Sequence, residues 1–354
     1  MTETLDIKIT KTKHSRLPET QINDLPFGKV FTDHMFVADY ADGEWKNLQV
    51  VPYGDISFSP AISSLHYGQS FFEGVKAYKH ADGQVSVFRP DKNAIRFNKS
   101  AERLCMPTLP EEIFLQSIAA VIDIDRDWVP SKANNALYIR PFMFATDRFL
   151  GVAPSTTYSY MVLLCPVGPY FSKTLRVKIE THFTRSAEGG MGYAKSSGNY
   201  GGSMYPAKKA TEEGFDQLIW TDAKDHKYIE EMGAANVMFV LDGVLITPST
   251  RDTILDGVTR DTVLALAREW GMPTEERRVS VAEILDGAKN GKLTDAFGAG
   301  TAATIAPVGS ISHNGEEYFL SDPKEREFSQ KVLRELDLIK YGVVADTHGW
   351  NYMV

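Results

Sequence analysis

Cysteine is scarce in this sequence, with two residues, Cys105 and Cys165, among 354. They lie far apart, and neither belongs to a CxxC motif or to a cluster of cysteine and histidine. Such spacing argues against disulfides and structural zinc, and it fits a reducing compartment. We therefore expect a cytoplasmic protein that binds no metal.

Long apolar runs and an excess of positive charge are also missing. No uninterrupted apolar segment approaches the ~18 residues of a membrane span, and residues 1–16 lack the apolar centre of a signal peptide. The 38 lysines and arginines are outnumbered by 46 acidic residues, giving a net charge of −8. This balance leaves no basic face for nucleic acid or anionic lipid, so the expected partners are small molecules.

Hydrophobic residues are plentiful, at 43% of the chain, which suffices for a buried core and for two domains. Asp-Gly pairs at 42–43, 82–83 and 242–243 predict β-hairpins. Periodicity predicts strands over 136–145 and 158–165 and, between the strands, helices over 91–104, 111–128, 259–270, 281–289 and 323–339. Antiparallel pairs mixed with helices, without regular βαβ spacing, indicate an α+β fold.

A proline- and glycine-containing segment follows the second of these strands, at 166–170. Such segments commonly separate domains. We therefore predict a small N-terminal domain over 1–166, a linker over 167–175 and a large C-terminal domain over 176–354.

Lys195 lies in an unusual stretch, 189–202, which holds six glycines. Glycine at this density disfavours helix and strand and lets the backbone approach a ligand closely. A lysine held there is a candidate nucleophile for a carbonyl cofactor. The alternative is a mobile surface loop with a solvated lysine.

Two segments nearly match nucleotide-binding motifs. Residues 189–196 resemble the GxxxxGK[ST] loop, but Ala194 replaces the second glycine, and the glycines after it argue against the required helix. Residues 298–303 have a GxGxxA pattern, but Pro307 and Gly309 would soon end any helix. Both are predicted to be loops whose amides could meet a phosphate or carboxylate, without a nucleotide hydrolase or a Rossmann unit.

Pyridoxal phosphate requires a lysine for its aldehyde, a carboxylate for its ring nitrogen, and an arginine with helix-end amides for its phosphate. Lys195 could be the first and Glu231, before a predicted turn, the second. Arg96 and the amides of Val258 and Thr259 could bind the phosphate. The alternatives are a solvated Glu230–Glu231 pair, a surface arginine and ordinary helix capping.

Collinear segments resemble those of the branched-chain amino acid aminotransferases, which are fold-type IV pyridoxal-phosphate enzymes. The resemblance extends over nearly the whole chain and is closer to the animal-like branch than to the enterobacterial one. It implies a smaller N-terminal α/β domain and a larger C-terminal domain with a barrel-like β core. The segments that carry it are 65–68, 72–74, 88–96, 137–141, 165–171, 195–201, 231–236, 257–260 and 297–302.

The resemblance also implies a role for each site residue. Lys195 would hold the cofactor covalently and move the substrate proton, and Glu231 would protonate the ring nitrogen. Tyr200 would bind the phenolic oxygen. The phosphate would be bound by Arg96, Val258, Thr259 and Thr301.

For the substrate, the amides of Ala302 and Ala303 with the hydroxyl of Tyr138 would bind the α-carboxylate. Arg140, two residues along the same strand, would bind the second carboxylate of glutamate. Aromatic residues would wall an apolar pocket, namely Tyr67, Phe72, Tyr170 and Tyr200. Leu150 and Val152 would close the pocket of a neighbouring subunit, which implies a homodimer.

The activity implied is reversible amino transfer between leucine, isoleucine or valine and 2-oxoglutarate, by a ping-pong cycle. A D-amino acid aminotransferase and an aminodeoxychorismate lyase share the fold and would keep Lys195 and Glu231, but both need a more polar pocket. A catalytically silent cofactor-binding protein is a further alternative. Ala303 and Ala306 stand where animal members carry a CxxC pair, so no thiol switch is expected there, and a bacterial-type biosynthetic enzyme is favoured.

Overall fold

The computed structural model describes residues 4–171 and 173–354. By its contacts the chain divides into two compact units. The first comprises the described part of Met1–Tyr170 together with Ala194–Ser197 and Leu338–Val354, and the second comprises Phe171–Tyr193 and Gly198–Asp337, without Ser172. The domain limits drawn from the sequence stay a prediction, and residues 1–3 of the predicted N-terminal domain and Ser172 of its linker lie outside the described residues.

The elements follow one another as mixed helices and strands, as expected for an α+β chain. The helices are α1 Ser63–Tyr67, α2 Pro90–Arg103, α3 Glu111–Ile124, α4 Ser197–Glu212, α5 Val258–Glu269, α6 Val281–Lys289 and α7 Glu327–Lys340. The strands are β1 Lys8–Ile9, β2 His34–Ala41, β3 Glu44–Pro52, β4 Ser70–Phe72, β5 Val75–Lys79, β6 Val85–Phe88, β7 Ala136–Ala145, β8 Tyr158–Val167, β9 Leu175–Ile179, β10 Gln217–Thr221, β11 Tyr228–Met232, β12 Ala235–Leu241, β13 Val244–Pro248, β14 Thr274–Arg277, β15 Val279–Ser280, β16 Leu293–Gly300, β17 Thr304–His313, β18 Glu316–Phe319 and β19 Asn351–Met353.

The first unit is built on a sheet with the order β1-β3-β2-β8-β7-β5-β6-β19, in which β4 pairs with β7. β7 and β8 are antiparallel along their whole length, from Ala136↔Val167 to Ala145↔Tyr158. Phe97 of α2 and Phe114 of α3 are buried with Tyr160 of β8 in one core cluster. Leu137 and Ile139 of β7 are buried in the same cluster, so this core positions the strand that carries Tyr138 and Arg140.

The second unit contains a closed barrel. The strands run in the order β12-β16-β17-β9-β10-β11, and β11 pairs again with β12 to complete the ring. Apolar side chains of these strands, such as Val177, Val237 and Val308, are fully buried in its core cluster. The expected barrel-like core is therefore confirmed. β11, which carries Glu231, is one of its strands.

All three Asp-Gly hairpins are confirmed. Asp42 and Gly43 join β2 to β3 with φ of 58° and 85°, and Asp242 and Gly243 join β12 to β13 with φ of 53° and 80°. Gly83, between β5 and β6, has φ of 87°. Positive φ at consecutive residues matches the twist of the paired strands, which is why Asp-Gly predicts such turns well.

Most predicted helices and strands have the expected limits, and the exceptions lie at helix ends. The helix predicted over 111–128 ends at Ile124 and is followed by a 3₁₀ turn over Arg126–Trp128. Trp128 there is buried and donates its indole N–H to Asp33 at 3.0 Å. A contact remote in sequence thus sets this end. The helix predicted over 323–339 likewise begins with a separate 3₁₀ turn over Pro323–Glu325.

The glycine-rich stretch corrects our prediction. We expected its glycines to exclude helix, but α4 begins at Ser197 and contains Gly198, Gly201 and Gly202. Each glycine costs a helix about 1 kcal/mol relative to alanine, a penalty that tertiary contacts can outweigh. One such contact runs from the Asn199 side chain to the Met191 carbonyl at 2.8 Å. The rejection of a phosphate loop therefore rests on Ala194 alone.

The segment over 298–303 is also only partly a loop. Gly298 and Gly300 lie in β16, and the chain turns over 301–303 into β17 rather than into a helix. A Cβ at Gly298 would lie 2.4 Å from the Met232 Cε, so close packing explains the glycine. None of the described helices is long and apolar enough to cross a bilayer.

Candidate active site

Lys195 is held firmly by its backbone within the first unit. Its amide donates to Ser100 Oγ at 2.9 Å, and its carbonyl accepts from the Phe72 amide at 3.2 Å. Ser196 forms a bridge with Phe71. The Lys195 Nζ lies 4.9 Å from the Phe72 ring centroid. A partly buried amine on a fixed backbone suits a reactive lysine better than a solvated surface loop does.

Arg96 is buried on α2 and is held by Glu73, which is completely inaccessible to solvent. Nε and Nη2 of Arg96 donate to the two carboxylate oxygens at 2.7 and 2.8 Å. Asn93 and the Gly74 amide donate to the same carboxylate at 2.7 and 3.0 Å. Burial opposes ionisation of Glu73, but the charges and hydrogen bonds, chiefly those of Arg96, outweigh it and lower its pKa. The guanidinium therefore has a fixed orientation.

Three predicted substrate residues meet in the first unit. Arg140 Nη2 donates to the Tyr138 hydroxyl at 3.2 Å, and the guanidinium lies 4.4 Å from the Phe72 ring centroid. Tyr138 and Arg140 share a face of β7, as the alternation of a strand predicts. A Cβ at Gly74 would lie 2.2 Å from the Tyr138 hydroxyl oxygen, so this position has room for glycine alone. The result is an aromatic wall with a positive charge against it.

Tyr170 joins this wall through Phe27, whose ring lies 4.7 Å from Tyr138 and 5.2 Å from Tyr170, centroid to centroid. Burial raises the pKa of Tyr170, although part of its side chain remains exposed. Its phenol therefore stays protonated near neutral pH and can donate a hydrogen bond.

Tyr67, the last residue of α1, contacts the loop that carries Leu150. Its hydroxyl donates to the Leu150 carbonyl. Both residues are exposed, as are Leu65 of α1 and Val152, which has 88% of its surface accessible. We call Leu65, Tyr67, Leu150 and Val152 the apolar patch. Exposed apolar side chains on two segments that contact each other, as these do through Tyr67 and Leu150, are typical of interaction surfaces.

Glu231 lies in β11 one residue before the β11–β12 turn, and only 2% of its surface is accessible. Its Oε1 accepts from the Leu255 amide at 2.6 Å, and its Oε2 lies 3.1 Å from Arg185 Nε. Glu230, with 8% of its surface accessible, is also buried, so the alternative of a solvated acidic pair is wrong. A carboxylate held by a cation and an amide suits a protonated ring nitrogen.

The N-terminus of α5 has the features of a phosphate site. Gly257 is the N-cap residue and has no side chain with which to cap the helix, so the usual hydrogen bond from an N-cap side chain is not formed. A Cβ there would lie 1.9 Å from Asn236 Oδ1, which explains the glycine. The first amides of the helix, at Val258 and Thr259, are therefore suited to bind an anion. Together with Glu231, this geometry fits pyridoxal phosphate.

Asn236 connects the parts of the second unit that carry the remaining predicted residues. It pairs with Glu231 across β11–β12 and with Ala299 across β12–β16, and its Nδ2 donates to the Leu255 carbonyl at 2.9 Å. The turn that follows β16 holds the predicted residues Thr301, Ala302 and Ala303, all partly buried. Tyr200, also partly buried, lies in the first turn of α4.

Residues 70–311 match the sequence model of the family described as amino-transferase class IV. The chain belongs to this family. Within it, the branched-chain-amino-acid aminotransferase 2 of Bacillus subtilis (strain 168) is 42% identical over 353 residues, covering 99% of this chain and 96% of that protein. The branched-chain-amino-acid aminotransferase of Mycobacterium tuberculosis is 42% identical over 341 residues, covering 94% and 93%. The resemblance seen in the sequence is thereby confirmed.

Solved structures similar to this class IV aminotransferase confirm the expected fold. The branched-chain aminotransferase of Thermoproteus uzoniensis with norvaline has a TM-score of 0.75 at 25% identity, covering 90% of this chain and 99% of that one. The Escherichia coli branched-chain enzyme has a TM-score of 0.72 at 26% identity, covering 90% and 98%. The T.th. branched-chain enzyme with pyridoxamine 5′-phosphate has a TM-score of 0.71 at 26% identity, covering 89% and 97%.

Sequence reasoning missed two residues of the class IV aminotransferase that support its candidate site. Glu73 appeared only within a matching segment, although its position beside glycine after two phenylalanines was a signal. Arg185 lacked any local signal, because its partners lie in other segments of the chain.

The two cysteines differ in their surroundings. Burial raises the pKa of the Cys165 thiol to about 11, which makes it unreactive, and Cys105 is exposed.

Proposed function

We propose that this protein is a pyridoxal-phosphate-dependent branched-chain amino acid aminotransferase. It transfers the amino group reversibly between L-leucine, L-isoleucine or L-valine and 2-oxoglutarate in a ping-pong cycle. The observation that carries the proposal is the 42% identity with a Bacillus subtilis protein of that name over 99% of the chain. The aromatic wall of Phe72 and Tyr138, with the Arg140 guanidinium against it, supports the same substrates.

Bound pyridoxal phosphate supplies an electron sink that stabilises negative charge at the substrate Cα. In the proposed cycle Lys195 would hold the cofactor through its side-chain amine, and the free amine would carry the Cα proton when substrate occupies the cofactor. Glu231 holds the proton on the ring nitrogen, because Arg185 and the Leu255 amide favour its ionised form. Tyr200 donates to the phenolic oxygen. The phosphate is bound by Arg96, Val258, Thr259 and Thr301.

The substrate side chain packs against an apolar wall of Tyr67, Phe72 and Tyr170. Burying a leucine or isoleucine side chain there is worth about 1.5–3 kcal/mol, which favours these amino acids over polar ones. The α-carboxylate is bound by the Tyr138 hydroxyl with the amides of Ala302 and Ala303.

Glutamate and 2-oxoglutarate bring a second carboxylate, which would be costly to bury without a partner. Arg140 is the proposed counter-charge, because its guanidinium lies against Phe72 and Tyr138 within the wall itself. One pocket can then accept either an apolar side chain or a carboxylate.

The apolar patch supports a homodimer. A second copy would cover Leu65, Tyr67, Leu150 and Val152, and the loop that carries the last two would reach the pocket of its partner.

We also propose a cytoplasmic location and a biosynthetic role, on the basis of the two unpaired cysteines and of Ala303 and Ala306 at the positions of the animal CxxC pair.

The direct test is to purify the protein and assay it with 2-oxoglutarate and a panel of amino acids. We expect glutamate to form from L-leucine, L-isoleucine and L-valine, and we expect the visible absorbance of the bound cofactor to change when L-leucine is added. Lys195→Ala should abolish both, whereas the exposed Lys208→Ala should abolish neither. Absence of the visible band, or a preference for D-alanine, would contradict the proposal.

The assignment of Arg140 needs a separate test. Arg140→Ala should raise the KM for 2-oxoglutarate about 10- to 100-fold, because a charge-assisted hydrogen bond is worth about 1.5–3 kcal/mol. The KM for the oxo acid of leucine should change much less, since that substrate has no second carboxylate. An equal rise in KM for both oxo acids would show that Arg140 packs against the aromatic wall and does not bind the second carboxylate.

A further inference from the structure

Arg185 is buried beside Glu231 in the second unit, and each nitrogen of its guanidinium has a partner there. Its side chain is 6% exposed. Nη1 donates to the Thr253 carbonyl at 3.0 Å, Nη2 donates to the Gly192 carbonyl at 3.2 Å, and Nε lies 3.1 Å from Glu231 Oε2. Because two main-chain carbonyls fix the guanidinium, its charge has one position relative to β11.

Two carboxyl groups follow each other on β11, and their surroundings differ. Glu231 receives the Leu255 amide and the Arg185 charge. Oε2 of Glu230 is buried and has no hydrogen-bond partner among the residues that the structure describes. Glu230 also lines a cavity of about 480 Å³. Successive strand residues point to opposite faces, so the two carboxyl groups have different neighbours.

The charges around Glu230 do not stabilise its ionised form in the way that Arg185 stabilises the ionised form of Glu231. Burial raises the pKa of Glu230 to about 7, the charges of Glu231 and Asp222 act in the same direction, and Thr253 and Arg185 oppose them. The Asp222 carboxylate accepts hydrogen bonds from the amides of Asp225, Lys227 and Tyr228. The other charged groups that line the cavity are Glu188, Lys224, Asp225, Arg251, Arg277 and Arg278.

We propose that Arg185 is a positioning residue that makes Glu231 the charged carboxyl of this pair and leaves the proton on Glu230. Two buried negative charges on adjacent residues repel each other, and one fixed guanidinium compensates one of them. Neighbouring carboxyls with opposed environments commonly divide such roles. This inference rests on the proposed function, in which Glu231 faces the ring nitrogen of the cofactor.

The division matters because only an ionised Glu231 can accept a hydrogen bond from a protonated ring nitrogen. If Glu231 were neutral, it would itself donate, and the ring nitrogen would lose its proton. Arg185 then acts on the reaction through Glu231 without touching the cofactor.

The test compares Arg185→Met, which removes the charge, with Arg185→Lys, which keeps it. We expect kcat to fall about 10- to 100-fold in Arg185→Met, the range that outer-shell partners show at metal sites. Its kcat should also gain an acidic limb that the wild type lacks, because without the Arg185 charge Glu231 takes up a proton more readily. Arg185→Lys should recover part of the rate and shift the limb towards lower pH.

Arg326→Met is the matched control, because Arg326 is a buried arginine of the same unit that pairs with Asp295 at 3.4 Å. It should lower the unfolding temperature but leave kcat within about twofold and its pH profile unchanged. If Arg185→Met behaves as this control does, the inference is wrong. If Arg185→Met does not fold, Arg185→Lys decides instead, and a lowered kcat with an unchanged profile would overturn the inference.

Infrared difference spectra of the full-length holoenzyme give a readout independent of turnover. The wild type should show a protonated carboxyl that titrates near pH 7 and is missing in Glu230→Gln. Arg185→Met should show an additional protonated carboxyl, and its affinity for pyridoxal phosphate should fall about tenfold. An Arg185→Met spectrum identical to that of the wild type would refute the inference. A wild type without turnover on L-leucine would instead refute the proposed function.

Discussion

Two buried carboxylate–arginine pairs at the candidate site of this aminotransferase differ in where their partners come from. Glu73 in the first unit is held by Asn93 and Arg96 of one helix and by the adjacent Gly74 amide. Glu231 in the second unit is held by Arg185 and the Leu255 amide, which lie in widely separated segments. The first pair is a compact local assembly, whereas the second exists only once the barrel has formed.

Removing each carboxylate charge should separate these two kinds of pair. Glu73→Gln leaves the Arg96 guanidinium buried without that charge, so we expect a loss of about 3–5 kcal/mol in the free energy of unfolding. Glu231→Gln should cost less stability, because Arg185 keeps its two carbonyl partners. Its kcat should instead fall about 10²- to 10³-fold, as when a preorganised electrostatic partner is removed.

Chemical denaturation and steady-state kinetics of both variants measure these effects. The comparison would fail if Glu73→Gln lost kcat as severely as Glu231→Gln while staying as stable as the wild type.

The pH dependence of stability should have opposite signs at Glu73 and Glu230. The pKa of Glu73 is lowered below its ordinary value of 4.5, so its contribution is present above about pH 4.5 and is lost on acidification. The pKa of Glu230 is raised from 4.5 to about 7, so ionising this carboxyl destabilises the folded protein. That free-energy cost is absent below about pH 4.5 and grows until the pH passes 7. That cost reaches about 3 kcal/mol.

Denaturation of Glu230→Gln at pH 5 and pH 8 tests the second sign. We expect the variant to gain stability relative to the wild type on going from pH 5 to pH 8. If the variant instead lost stability relative to the wild type over this interval, the folded protein would favour the ionised form of Glu230.

Two glycines allow a matched steric comparison. Gly74→Ala would push against the Tyr138 hydroxyl, and we expect kcat/KM for amino acids to fall about tenfold as a hydrogen bond to the substrate carboxylate weakens. Gly257→Ala would push against Asn236 at the N-terminus of α5, so we expect weaker cofactor binding instead. Titration with pyridoxal phosphate and substrate kinetics distinguish the two. If Gly74→Ala instead weakened cofactor binding and Gly257→Ala lowered kcat/KM, the roles proposed for these two regions would be wrong.

The smallest effect is expected in α4. A Cβ at Gly201 meets nothing within 4 Å, and its φ is not positive. Gly201→Ala should therefore stabilise the protein by up to about 1 kcal/mol, because alanine is the better helix former. Thermal unfolding with the cofactor bound measures this gain. Destabilisation would mean that the glycine serves a ligand or a partner chain.

Much of the first unit could be predicted from the sequence. Tyr138 and Arg140 share a face because they are two residues apart in a strand, and Arg96 lies on the helix that periodicity predicted. What could not be predicted was the depth of burial of Glu73 or the stacking of Arg140 on Phe72. Both contacts join residues of different elements, and periodicity describes only one element at a time.

The sequence by itself determined the Asp-Gly hairpins, most helix limits and the family, because turn chemistry, periodicity and collinear motifs depend on neighbouring residues. Only the tertiary structure decided that α4 runs through Gly198, Gly201 and Gly202, that β11 closes the barrel against β12, and that Arg185 reaches Glu231. The contact of Arg185 with Glu231 joins segments that are distant in the chain, and the ring of strands likewise depends on pairs of distant strands, β12 with β16 and β9 with β17. Local propensity, at about 1 kcal/mol per residue, is too weak to decide against such contacts.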